Sequence, residues 1–73
     1  MGRLRVLSGL EVCRILERHG FVEVRRRGGH VVMQRRMDTG TVTVPVPDHR
    51  ELAIGTLLSI IRQSAVPRSE FED

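Results

Sequence analysis

The sequence predicts an α+β domain in the order α-β-β-β-α, a three-stranded antiparallel sheet with both helices packed on one face. Three observations carry this: apolar stripes of helical period stand toward either end of the chain, two-residue alternation fills the middle, and glycine-bearing turns divide that middle into three. At 73 residues there is room for one domain with one thin core. Residues 1–73 are therefore read as a single unit, with a core over 8–66 and an acidic C-terminal tail over 67–73.

The first helix is signalled by Ser8-Gly9-Leu10-Glu11, a capping box. In such a box the Ser8 hydroxyl accepts from the Glu11 amide, and the Glu11 carboxylate reaches back to the Ser8 amide. Leu7 and Val12 have the spacing of a hydrophobic staple around it. Val12, Ile15, Leu16 and His19 share one helical face, and Gly20 supplies a left-handed stop. The helix is expected over residues 9–19, with His19 complementing the dipole at its C-terminal end.

Val22 and Val24 alternate with Glu23 and Arg25, the pattern of a half-buried strand. Gly28-Gly29 is a two-residue hairpin turn, since both central positions of a type I′ turn need positive φ. His30 to Arg35 form the second strand; its run Val31-Val32-Met33 leaves the facing of His30 open. Met37-Asp38-Thr39-Gly40 turns the chain again. In the third strand, Thr41-Val42-Thr43-Val44, the valines are expected to face the core, and Pro45 and Pro47 to stop the ladder.

A loop through Asp48, His49 and Arg50 leads to the second helix, where Ile54, Leu57, Leu58, Ile61 and Ala65 fall on one stripe. Thr56 is a candidate cap, so the regular part is expected over residues 57–64. Pro67 breaks it, and residues 67–71 have room only for a short further turn.

Composition excludes several classes. All twelve basic residues are arginine. Residues 1–69 hold all of them with six acids, a net +6, and the last four residues hold three acids. The basic surface thus belongs to the body of the domain and points to a partner rich in phosphate or carboxylate. A single cysteine, Cys13, excludes an internal disulfide and is read as a small apolar residue. No apolar run reaches the length of a membrane span, and Met1-Gly2-Arg3-Leu4-Arg5-Val6-Leu7 lacks the features of a signal peptide or an acylation site. A reducing cytoplasm is the expected setting. No metal-ligand spacing, nucleophile motif or phosphate loop is present, so neither metal nor cofactor is expected.

The chemistry concentrates in Arg25-Arg26-Arg27-Gly28-Gly29-His30, continued by Arg35 and Arg36: five arginines over residues 25–36 and no acid. Arginine grips phosphate oxygens in pairs, and glycine lets backbone approach closely. Histidine both takes and gives protons near neutrality. Phosphate grip plus proton transfer is the minimum for cutting an RNA backbone. A solvated arginine-rich tip and a structural histidine account for the same residues more plainly. With no Trp or Tyr and only Phe21 and Phe71, base stacking is a poor basis for recognition. A non-catalytic RNA-binding module and a domain that binds an acidic protein remain alternatives to a nuclease.

Gly20-Phe21, Arg27-Gly28-Gly29-His30, Val42-Thr43-Val44-Pro45 and Ile54-Gly55-Thr56-Leu57, with Ile60 three residues on, together resemble the HicA toxin family, mRNA interferases of type II toxin–antitoxin systems. The resemblance implies a double-stranded-RNA-binding-domain-like fold, ribosome-independent cleavage of mRNA, and inhibition by a cognate HicB-type antitoxin that covers the site. It implies a monomer alone, or a small hetero-oligomer with the antitoxin. The family's Gly-Ser-His-His segment falls on Gly28, Gly29, His30 and Val31, so His30 takes the catalytic position, Gly29 replaces a serine and Val31 replaces a second histidine. The expected site is then His30 as general acid/base, with Arg26, Arg27, Gly28, Gly29 and Arg35 contacting RNA phosphate.

Overall fold

The computed structural model describes residues 2–73; Met1, the first residue of the segment read for a targeting signal, lies outside the described residues. Along the chain run α1 (Gly9–Glu17), β1 (Val22–Arg27), β2 (His30–Met37), β3 (Gly40–Pro47), α2 (Ile54–Ser64) and a 3-10 turn over Arg68–Phe71. The strands form one antiparallel sheet in the order β1-β2-β3. Val31, Met33, Val44 and Val46 on its inner face join Val12 and Leu16 of α1 and Leu57 and Ile60 of α2 in a single core. Both helices therefore lie on one face, and the other face is uncovered. This is the α+β, double-stranded-RNA-binding-domain-like order expected from the sequence.

The start of α1 matches its signal. Ser8 caps it, with the Glu11 amide donating to the Ser8 hydroxyl at 3.1 Å and the Ser8 amide donating to the Glu11 carboxylate at 2.8 Å. The helix ends at Glu17 rather than at His19, with Arg18 as its cap. Gly20 takes φ +91°, and the Phe21 amide returns to the Leu16 carbonyl at 3.1 Å. That closure swings Phe21 into the core, where it is 1% exposed.

Strand β1 departs from expectation. Val22 and Val24 are exposed, and none of its six residues is buried. The cause is a register shift between Glu23 and Arg25 in the pairing with β2. Cross-strand partners share a face, so Glu23 opposite Met33 and Arg26 opposite Val31 point toward the helices. Val22, opposite Gln34, and Arg25 and Arg27, opposite Val32 and His30, take the uncovered face. The extra residue of the bulge, Val24, goes unpaired.

Strand β3 runs on through both prolines to Pro47, with Pro45 opposite Val32 and Pro47 opposite His30. As an edge strand it tolerates proline wherever the nitrogen faces away from its one neighbour. The extension buries Val46 completely beside Val44, whereas Val42 is only partly buried.

Helix α2 begins three residues before its expected start, at Ile54, with Ala53 as cap and no side-chain cap bond; Thr56 lies inside the first turn and does not cap. Its buried face is Leu57, Ile60 and Ser64, so Ile54 and Leu58 stand exposed. Packing chiefly against β3, at the edge of the sheet, goes with a helix turned about its axis relative to the expected stripe. The last residues are acidic yet docked. Phe71 is 0% exposed, the Arg5 amide donates to its carbonyl at 2.8 Å, and Leu4 pairs with Glu72. His19 does not act alone at the end of α1, because its Nε2 lies 3.1 Å from the Glu70 carboxylate.

Candidate functional site

Gly28 and Gly29 turn the β1–β2 hairpin with φ of +56° and +80°, the two left-handed positions of a type I′ turn. No atom lies within 4 Å of a Cβ added at either position, so conformation rather than crowding demands glycine here. The Gly29 carbonyl accepts from the Asp48 amide at 2.8 Å, which ties the turn to the exit of β3. Between them lies a cleft of ≈ 270 Å³ lined by Arg26, Arg27, the two glycines, His30, Val31 and Asp48.

His30 opens β2 on the uncovered face, with Arg27 on one side and Pro47 on the other. Its Nδ1 lies 3.3 Å from the Gly28 carbonyl. A carbonyl only accepts, so Nδ1 carries the proton and donates; whenever the exposed ring is neutral, the lone pair is then on Nε2. Arg27, paired across from it, is exposed and makes no ion pair among the described residues. One proton-transfer atom and one uncommitted guanidinium therefore stand at the same end of the hairpin.

Arg26 lines the same cleft in a different state. Its Nε donates to Glu23 at 3.0 Å, and a terminal nitrogen lies 3.4 Å from Asp48. The hydrogen bond to Glu23 and that carboxylate's charge raise its already high pKa. Strand alternation separates Arg26 from its two neighbours: Arg25 and Arg27 project onto the open face, while Arg26 is clamped on the helix side. Arg35 is not brought to the cleft. It sits five residues along β2, about 17 Å from His30 at strand rise, and a Cβ at Gly20 would meet its chain at 3.5 Å.

Val31 is 1% exposed, so its side chain belongs to the core although its position borders the cleft. Sequence reasoning missed Asp48, which it left in a loop without a role. The only local hint was Pro47-Asp48 at the end of a valine-alternating run; the pairing of that run with His30 makes the hint meaningful. Behind Arg26, burial pushes the Cys13 thiol up to about 11, with the Glu23 carboxylate adding to the shift. The uncovered face also carries Gln34 and Arg36 on β2. Among the described residues no three His, Cys, Asp or Glu side chains gather as a metal site would require.

No curated protein matches the chain. The model of the HicA toxin of bacterial toxin–antitoxin systems matches residues 9–66, from the first residue of α1 to the buried Val66 beyond α2. That span holds the sheet, both helices and every residue of the cleft, and the chain accordingly belongs to the HicA toxin family.

Proposed function

We propose that this toxin is an endoribonuclease that cleaves mRNA in the cytoplasm and is held in check by a HicB-type antitoxin. One observation carries the reading: the Gly28 carbonyl accepts from Nδ1 of His30 and so leaves Nε2 to act as base, on the residue paired across the hairpin with Arg27, which makes no ion pair among the described residues. In the proposed reaction Nε2 takes the proton of a ribose 2′-hydroxyl. The 2′-oxygen then bonds to the adjacent phosphorus, the bond to the 5′-oxygen breaks, and a 2′,3′-cyclic phosphate results. Arg27 stabilises the charge gathering on the phosphoryl oxygens and remains protonated throughout. The 5′-oxygen takes its proton from solvent, which reaches the exposed ring of His30.

The test is His30→Ala, assayed for RNA cleavage and for growth arrest on induction. Removing the base is expected to lower cleavage by about 10²–10⁴-fold, with RNA binding retained. Cleavage and arrest at the original level would end the assignment. If the unaltered protein binds RNA in a salt-sensitive way and yields no cleavage products, the correct reading is a non-catalytic RNA-binding module of the same fold.

A further inference from the structure

A second basic surface lies on α1, away from the hairpin. Arg5, from the segment before the helix, Arg14, on the helix, and Arg18, its C-cap, line a groove of ≈ 190 Å³ together with Glu11, Leu7 and Ile15. All three arginines are exposed, and none makes an ion pair among the described residues. The one acid, Glu11, already accepts from the Ser8 amide at 2.8 Å. Leu7 and Ile15, at 1% and 3% exposure, belong to the core and offer almost no apolar surface. Val6 and Leu10 are exposed beside the groove but do not line it; the lining itself is dominated by guanidinium forks, which suit phosphate oxygens. Arg14 and Arg18 stand one turn apart, about 6 Å along the helix axis.

Helix α1, which carries two of these arginines, begins at the wall of the cleft. The first helical residue, Gly9, donates its amide to the His49 carbonyl at 2.9 Å, and a Cβ on it would lie 2.0 Å from the Pro47 carbonyl oxygen. Helix α1 thus starts against the residues flanking Asp48, on the cleft wall, and carries Arg14 and Arg18 outward from there. We infer that Arg5, Arg14 and Arg18 form a second phosphate site, which holds a single RNA strand as it leaves the hairpin cleft along α1. The inference rests on the RNA reading above and adds to it a binding track separate from the reacting centre.

The experiment uses the full chain carrying His30→Ala, so that RNA stays intact, and measures binding of single-stranded RNA oligonucleotides across a range of salt. Adding Arg14→Gln and Arg18→Gln is expected to reduce the slope of log affinity against log salt by about 1.4, two contacts' worth. Arg14→Lys with Arg18→Lys is expected to restore most of it, which separates charge loss from misfolding. An unchanged slope in the glutamine variant overturns the inference while leaving the RNA reading intact. Weakened binding to a polyglutamate probe with RNA binding unaltered also overturns it, in favour of an acidic protein. If the His30→Ala parent binds no RNA at all, the inference and the RNA reading fall together.

Discussion

Nδ1 of His30 lies 3.3 Å from the carbonyl oxygen of Gly28, two residues back along the chain across the hairpin turn. The turn thus sets the proton position on the ring: with Nδ1 committed to a carbonyl, the neutral side chain exposes Nε2 as its base. The Nδ1–H tautomer is therefore expected to dominate the neutral form, read from the ¹⁵N shifts and long-range couplings of the labelled ring. A dominant Nε2–H tautomer would remove the basis for assigning Nε2 as the proton acceptor.

Arg26 and Arg27 are neighbours in sequence with different expected phenotypes. Arg27 has no ion-pair partner among the described residues, so Arg27→Ala is expected to lower RNA cleavage by about 10²-fold, the scale of one lost transition-state donor, at nearly unchanged thermal stability. Arg26→Ala leaves Glu23 and Asp48 without their shared cation. It is expected to raise KM through a loosened cleft wall and to change thermal stability little, since both pairs are exposed to solvent. Equal kinetic losses from the two variants would contradict the separation of their roles.

Much of this architecture was legible because its signals are local. The capping box at Ser8, the stop at Gly20, the Gly28-Gly29 turn and the order of elements depend on residues within a few positions of one another. What escaped depends on partners far away in the chain. The facing of Val22 and Val24 follows from a bulge visible only in the pairing with β2. The rotation of α2 goes with its seat on β3, and the docking of Phe71 follows from a strand-like pairing with residues near the N-terminus. In the site, His30 and Arg27 were accessible because they flank one tight turn. Asp48 comes from 18 residues downstream of His30, and the isolation of Arg35 follows from strand rise and facing.

Cys13 gives a pH-dependent expectation. The residue is 7% exposed, and burial raises the pKa of its thiol from 9.0 to about 11. At pH 8 the native protein is expected to react with iodoacetamide at least about 100-fold more slowly than the unfolded chain, from the loss of thiolate alone. The folded state holds this proton more tightly than the unfolded state does. The associated stability is complete below pH 9 and is lost as pH rises toward 11. Denaturant midpoints across that range are expected to fall for the unaltered protein and to fall less for Cys13→Ala.

Gly9 presents the reverse of a helix-propensity argument. Alanine in place of a helical glycine ordinarily stabilises by up to about 1 kcal/mol. At this position the added methyl would lie 2.0 Å from the Pro47 carbonyl oxygen, a backbone atom that cannot rotate away. Gly9→Ala is therefore expected to destabilise by about 1–3 kcal/mol, measured by chemical denaturation. A stabilised variant would show that α1 and the end of β3 are not in close contact.

Val31 occupies the position where the resemblance placed a second histidine, and restoring that histidine is expected to harm the fold rather than the chemistry. Residues 30 and 31 are consecutive on β2, so their side chains point to opposite faces of the sheet. His30 stands on the open face, whereas Val31 is 1% exposed among core residues. An imidazole at position 31 would enter the core without a polar partner, at a cost of about 1–3 kcal/mol by mutational experience. Val31→His is expected to lower the denaturation midpoint by that amount and to leave kcat for RNA cleavage within about threefold, a change under 1 kcal/mol of barrier. A large rise in kcat would instead mean that the chain can bring a second imidazole to the open face beside His30, against the alternation on which the site is built.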